Sequence, residues 1–484
     1  MTRAPLREVA LLLGVALLTR AITLGNPIVH ADEQFYFVTA RAMIDGAWPY
    51  ADVWDRKPVG LFLLYAPAAA LPLRAGIWAY QAMALASAVA TAAMVARMAR
   101  IAGWHGGATL AGIAYLVWII LAEGEGGQSP VFYNALVAAA ALLIVGARGG
   151  GEKRGFAAMA LIGVAMQVKY SVVFEGIAFG LWIVAHHWRV HHRPGRTLAL
   201  GAALVAVALV PTVVAAGAFA AVGRFDAFWY ANFRSIFERR ADPLIEQVGN
   251  LAGVVLILSP LLAMAVITMA RQGWTRERLF LAVWLAAALL GLLVFGSWFD
   301  HYALPVMVPA AVVAAGAMGE YRDVRRWAIP AMALFAVGGQ ALLLSKRLGR
   351  GSPSEFETLA AAVGHGPGCL WVQSGETMLY PWTGRCRVSR YVFPSHLGRA
   401  RESGAIGMDQ VSEVRRILAG APAVVVMRPA YRGERTDLRA LVAADVARHY
   451  RQGAAVLLGS GVVRVFVRRR DQAAQAVRPA MHAA

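Results

Sequence analysis

A chain of 484 residues with 59% hydrophobic and only 15% charged side chains, at a mean hydropathy of +0.54, lies outside the soluble globular range, where about a quarter of residues are charged. It reads as an α-helical polytopic membrane protein. The formal charge of +19 does not point to nucleic acid, because Lys and Arg recur in short clusters between apolar runs, as basic loops held on one side of a bilayer do.

The first apolar segment, residues 7–24, has a charged start and no small-residue cleavage site after it, so we read it as a retained helix. A polar stretch follows, Asp32 to Pro58, rich in acids and aromatics and ending Arg56-Lys57-Pro58. The next segment, Pro58 to Leu73, is apolar but short and is broken by Pro67 and Pro72. Ten further segments have the length needed to cross: 77–97, 105–122, 131–147, 156–173, 174–188, 197–222, 248–270, 279–299, 302–319 and 326–345.

Charge decides how Pro58 to Leu73 lies. If it rests along the interface, one side receives Arg3/Arg7, Arg97/Arg100, Arg148/Lys153/Arg154, the His186–Arg196 tract, Arg271/Arg276/Arg278 and Arg322/Arg325/Arg326. The other side receives the polar stretch, Glu123 to Gln128, Phe225 to Gln247 and Phe299-Asp300-His301. That is the positive-inside pattern, and a crossing segment would destroy it. The expectation is therefore about eleven transmembrane helices plus juxtamembrane helices over residues 1–346, with an outer first loop at 25–76. The four histidines of the 186–192 tract read as loop.

After an odd number of spans the chain beyond 347 lies outside, although Lys346, Arg347 and Arg350 are a local exception to the charge rule. Residues 347–472 read as a small extracytoplasmic α/β domain. Its strands are CLWVQS from Cys369, AVVVMRP from Ala423, AAVLLG from Ala454 and VVRVFVRR from Val462, with an amphipathic helix from Leu438. Residues 473–484 read as a disordered tail. Cys369 and Cys386 lack zinc-ligand spacing and are either a disulfide or two free thiols, according to compartment. No internal repeat and no phosphate-binding glycine motif is present.

The polar stretch is where chemistry concentrates. Asp32-Glu33 closely follows the first membrane helix, and a carboxylate there is suited to act as general base on an acceptor hydroxyl, or simply to cap a helix. Arg56-Lys57 is suited to hold a lipid phosphate and the charge that grows on it as it leaves, or to snorkel as an interfacial anchor. Trp48, Tyr50 and Trp54 fit an aromatic belt.

The stretch DEQFYFVTARAMIDGAWPYADVWDRKPVG resembles the first extracytoplasmic loop of GT-C glycosyltransferases of the dolichyl-phosphate-mannose protein mannosyltransferase and aminoarabinose transferase type, the family 39-like group. The marks are an acidic pair followed by an aromatic, then G-x-x-P-Y, an acid, and K-P before an apolar helix; Val59 stands where relatives commonly have a second proline. Weaker similarity appears at Gly155–Lys169 and Phe299–Pro309. The resemblance covers about the first 345 residues. It implies a GT-C fold, with Asp32 as catalytic acid/base, Glu33 as its neighbour, and Lys57 contacting the donor phosphate. Glu123 and Glu125 fall where relatives carry further acids, but Gln128 and Asn134 are neutral, so a divalent metal is left open, none is assigned ligands, and no cofactor is required.

Arg56 and Lys169 are further phosphate candidates, the latter also explicable by snorkelling. Tyr36, Tyr50, Asp52, Asp55, Glu125, Arg234, His301 and Tyr302 are candidates for lining the pocket, with surface helix and aromatic belt as the plainer roles of Arg234 and Tyr302. The expected protein is an inner-membrane inverting glycosyltransferase acting on the periplasmic or exterior face. It takes a hexose or pentose from a polyprenyl-phosphate donor to a hydroxyl, or another amine-free polar group, of a lipid, glycan or protein, with membrane lipids as its surroundings. The competing class is a lipid-linked-sugar transporter or flippase, which would place ionisable groups near the midplane and show related halves.

Overall fold

The computed structural model describes residues 3–146 and 152–469; Arg148 and the 473–484 tail lie outside the described residues. The membrane part runs α1 (Arg3–Arg20), α2 (Ala31–Ile44), α3 (Val59–Ala69), α4 (Leu73–Ile101), α5 (Ala108–Leu121), α6 (Ser129–Val145), α7 (Glu152–Met166), α8 (Val173–His191), α9 (Pro194–Ala221), α10 (Phe225–Trp229), α11 (Leu244–Arg271), α12 (Arg276–Val294), α13 (Leu304–Glu320) and α14 (Arg322–Arg350).

Each of the eleven anticipated spans is a helix. Among the described residues six helical segments, beginning at Leu73, Pro194, Leu244, Arg276, Asp300 and Arg322, are long and apolar enough to cross by themselves. The others are shorter or carry more charge. The 14 residues of α5 reach about 21 Å, less than the roughly 30 Å hydrocarbon core. Most of α5 and α6 is buried among neighbouring helices. Segment α3 is an 11-residue helix that ends just before Pro72, too short to cross, as its prolines suggested. The histidine tract differs from expectation: α8 continues as helix to His191, with His187 bonded to Thr197 and facing Glu152 at 3.7 Å, so only His192 is a helix end.

The two groups of loops separated by charge lie at opposite ends of the bundle. At one end Arg100 meets Glu8 at 2.5 Å, Arg271 meets Asp323 at 3.1 Å, and Arg278 reaches the Ala102 carbonyl at 3.1 Å. At the other, Arg20 reaches the Gly124 carbonyl at 3.2 Å, and Lys346 meets Glu125 at 3.2 Å. The exception at Lys346, Arg347 and Arg350 is thereby explained. These cations are counter-charges and donors for the acidic loop and for the carbonyls of Ile22 and Val29.

The C-terminal unit follows α14 through a Ser352/Glu355 capping box. It contains α15 (Pro353–Val363), β1 (Leu370–Val372), α16 (Leu379–Thr383), α17 (Pro394–Gly398), α18 (Gln410–Ala419), β2 (Val424–Met427), α19 (Thr436–His449), β3 (Tyr450–Leu458) and β4 (Gly461–Arg468). The sheet order is β1-β2-β4-β3, with β1 parallel to β2 and the other pairs antiparallel. Fully buried β1 and β2 read as continuous apolar runs, while β3 shows partial alternation. The left-handed Gly459 turns the β3–β4 hairpin.

Cys369 and Cys386 form a disulfide that ties β1 to the returning chain, where Leu370 N–H donates to the Cys386 carbonyl at 2.9 Å. Replacing both cysteines by alanine frees a 17-residue loop in the unfolded chain and is expected to cost about 3 kcal/mol. Thermal denaturation with limited proteolysis checks this; an unchanged melting point would contradict it.

Candidate active site

Helix α2 starts where His30 caps it: the His30 Nδ1 accepts from the Asp32 N–H at 3.3 Å, and Asp32 and Glu33 occupy the first turn, where the helix dipole favours carboxylates. Consecutive residues on a helix point about 100° apart, and these two acids enter different environments. Asp32 is partly exposed and accepts from Gln128 Nε2 at 3.2 Å, with the Tyr36 hydroxyl at 3.4 Å. Burial favours its neutral form, but Lys57, His30, His301 and the Gln128 bond outweigh this and hold the carboxyl at about 2.

Glu33 is 1% exposed and turns inward, its oxygens against Gly126 and, among the described residues, without a hydrogen bond of good geometry. Burial pushes its carboxyl up to about 7. Gly126 leaves room for Glu33, and Gly127 leaves room for Tyr65. A Cβ on Gly126 would sit 2.3 Å from Glu33 Oε1, and one on Gly127 would sit 2.1 Å from the Tyr65 hydroxyl. Gly126→Ala is therefore expected to displace Glu33 and α2, lowering the melting point by an amount that corresponds to about 1–3 kcal/mol of overpacking. Wild-type stability of this variant in a detergent melt would show that the site is looser than described.

Lys57 lies opposite Asp32. Its Nζ is 3.3 Å from Asp55 and 5.2 Å from the centre of the Tyr36 ring. Burial lowers the ammonium, but Asp55 and Asp32 outweigh it and the group is raised, so it is fully charged. Lys169, in the connection after α7, stands over the Tyr302 ring at 4.6 Å, and among the described residues no carboxylate lies within 4.0 Å of it. Burial and the nearby Lys57 bring it down to about 8. Tyr302 also feels Arg239 and Arg401, and its electrostatic neighbours include both Lys57 and Asp32. The result is a partly exposed cluster of electrostatic neighbours, Asp32, Lys57, Lys169, His301 and Tyr302.

Glu123 organises the second side. It adopts a left-handed backbone, φ 63°, uncommon without glycine and typical of functional loops. Its carboxylate meets His30 Nε2 at 2.7 Å and His301 Nδ1 at 3.3 Å, with Lys346 at 3.8 Å and Arg350 at 3.9 Å. Although burial opposes ionisation, the two histidines hold this group well below the usual carboxylate range. His30 is raised in return, burial being outweighed by Glu123.

The remaining anticipated residues have other tasks. Arg56 is committed to Glu402 at 2.8 Å and to the Ala405 carbonyl at 3.0 Å. Asp52 is exposed, accepts from the Trp48 N–H and pairs with Arg224 at 2.9 Å. Tyr50, also left-handed at φ 69°, is buried and donates to the Lys57 carbonyl at 2.9 Å, fixing the backbone there. Asp55 is buried beneath Lys57, and Glu125 is buried against Lys346. Arg234 is exposed and paired with Glu238 at 2.9 Å. Among the described residues no group of three or more His, Cys, Asp or Glu side chains is placed to hold a metal ion.

His30, Gln128, His396, Arg401 and Glu402 were not anticipated in these roles. His30, two residues before Asp32, carries a readable N-cap signal; Arg401 and Glu402 come from a distant segment with none.

Two crystal structures of ArnT from Cupriavidus metallidurans are similar to this chain in fold. The structure bound to undecaprenyl phosphate aligns with a TM-score of 0.65 at 16% identity, over 94% of this chain and 97% of that one. The apo structure aligns with a TM-score of 0.66 at 17% identity, over 96% and 98%. No protein-family model and no curated protein matches the chain. The common architecture is the GT-C fold of an integral membrane protein, and it extends through the C-terminal unit.

Proposed function

We propose that the protein is an inverting membrane glycosyltransferase that moves a sugar from a polyprenyl phosphate to an acceptor hydroxyl. One observation carries this reading: Asp32 and the cations Lys57 and Lys169 are partly exposed electrostatic neighbours in a fold found in a protein crystallised with undecaprenyl phosphate. In the reaction, Asp32 takes the acceptor proton while the hydroxyl oxygen bonds to the anomeric carbon from the side opposite the phosphate. The C–O bond to phosphate breaks, and polyprenyl phosphate leaves with the electron pair against Lys57 and Lys169. A single displacement inverts the anomeric centre.

Glu33 has the carboxyl nearer neutrality, the better value for a base, but its oxygens are sealed under Gly126-Gly127. Access precedes pKa, so Asp32 has the role. The site and C-terminal unit face the periplasm or exterior. The clustering of basic loops at the opposite end supports this orientation, as does the Cys369–Cys386 disulfide, which an oxidising compartment maintains.

The test supplies purified protein in lipid nanodiscs with labelled polyprenyl-phosphate pentoses and hexoses and a cell-envelope extract as acceptor. Label transferred to the extract, with inverted configuration, is expected. Lipid binding without transfer from any donor would favour a transporter.

A further inference from the structure

Lys57 sits at the end of an irregular segment, Trp54 to Lys57, that no helix or strand holds. The C-terminal unit holds it instead. Trp54 N–H donates to the Arg390 carbonyl at 2.9 Å, and its ring packs against Tyr391 and His396 at centroid distances of 5.7 and 4.7 Å. Asp55, 2% exposed, places one oxygen 3.7 Å from His396 Nε2 and the other 3.3 Å from Lys57 Nζ. Arg56 enters the unit to meet Glu402.

Glu402 is also 2% exposed, and it faces three guanidinium groups: Arg56 at 2.8 Å, Arg239 at 2.9 Å and Arg401 at 3.5 Å. Among the described residues the buried Nε atoms of Arg239 and Arg401 have no hydrogen-bond partner, that of Arg401 being the atom 3.5 Å from Glu402, while Arg401 lies over the Phe299 ring at 4.8 Å. One carboxylate therefore aligns several cations beside Tyr302 without neutralising them all; Asp242 takes part of the Arg401 charge at 3.2 Å. His396 has its Nδ1 buried with no hydrogen-bond partner among the described residues, which suits a neutral ring whose Nε2–H faces Asp55 at 3.7 Å, because an unpaired lone pair is cheaper to bury than an unpaired N–H.

We propose that His396 and Glu402 of the C-terminal unit are positioning residues for the donor phosphate. His396 acts through Asp55 on Lys57, and Glu402 acts through Arg56, which anchors the backbone next to Lys57, and through Arg239 beside Tyr302, so the phosphate site is complete only with the C-terminal unit docked. Neither residue touches the donor. Each fixes the direction of a cation before the lipid arrives, and such preorganisation is felt in binding because misplacement by about 1 Å can cost on the order of 10²-fold. The inference rests on the donor site proposed above.

The test compares full-length wild type with His396→Ala, His396→Gln, Glu402→Gln and Glu402→Asp. Glu246→Gln serves as control, because Glu246 joins α11 to Arg399 of the same unit at 3.3 Å away from the pocket. Undecaprenyl phosphate binding gives Kd, transfer from a polyprenyl-phosphate sugar gives KM and kcat, and melting gives stability. For His396→Ala and Glu402→Gln, Kd and donor KM are expected to rise about tenfold or more, with kcat at saturation within about threefold. Glu402→Asp and His396→Gln should recover much of the loss, and Glu246→Gln should bind as wild type. If His396→Ala and Glu402→Gln lower the melting point but leave Kd and KM unchanged, the residues are merely structural and the proposal fails. Should either variant not fold, the other decides by the same Kd criterion, and should neither fold, Arg239→Gln, which removes the cation that Glu402 holds at 2.9 Å, decides by it. Wild-type binding without transfer would remove the transferase reading while the positioning test still reads out in Kd. No binding by wild type removes both.

Discussion

Replacing Asp32 by asparagine is expected to lower transfer roughly 10³-fold, within the range of about 10²–10⁴ that a positioned general base contributes. The amide keeps the shape and can still face Gln128, so folding and lipid binding should survive. The pH profile separates Asp32 from its neighbour. A base whose carboxyl is held at about 2 stays deprotonated down to pH values near 3, so kcat/KM should show no acid limb between pH 5 and 8 arising from this group. A limb near 7 that disappears in Glu33→Gln would instead assign the base to Glu33.

Removing the ammonium of Lys57 is the second large effect. Lys57→Ala is expected to lower kcat/KM by about 10²–10³-fold, the scale of deleting a preorganised group that stabilises developing charge. It also unpairs buried Asp55, which then has His396 and the Arg56 N–H but no cation within 4.0 Å among the described residues other than a protonated His396. Lys57→Arg tests geometry rather than charge. Lys57 approaches Asp55 at 3.3 Å above the Tyr36 ring, and the larger planar guanidinium fits this space poorly, so partial rescue at most is expected. Full activity in Lys57→Ala would remove the phosphate contact from the account.

Much of the fold was legible because a bilayer imposes length and polarity on every crossing segment. The proline-broken Pro58 to Leu73 was readable for the same reason, since neither its length nor its prolines suit a span. The end of α8 was not readable: His186 to His191 is polar enough to look like loop, yet it continues a helix by pairing with Glu152 and Thr197, contacts between segments that periodicity does not record.

In the site, Asp32 and Lys57 were found together because one polar loop carries both. Arg56 was misleading for the opposite reason. Its neighbour in sequence binds toward the pocket, while Arg56 itself turns to Glu402, which is distant in the chain. Glu123 was visible as an acid in an apolar chain, but its bracket of His30 and His301 depends on three loops meeting at one end of the bundle. Arg234 and Arg239 look equivalent in sequence. The fold pairs one with Glu238 on an exposed turn and sets the other, partly buried, against Glu402.

The central claim is that a base and a phosphate clamp meet around one lipid-linked sugar, and the most direct measurement follows both in one preparation. Wild type, Asp32→Asn and Lys57→Ala are placed in nanodiscs, undecaprenyl phosphate binding is measured, and single-turnover transfer from a labelled polyprenyl-phosphate sugar is then followed. The account predicts that Asp32→Asn binds the lipid like wild type yet transfers almost nothing, and that Lys57→Ala loses binding as well as turnover. Transfer by Asp32→Asn at the wild-type rate would contradict it.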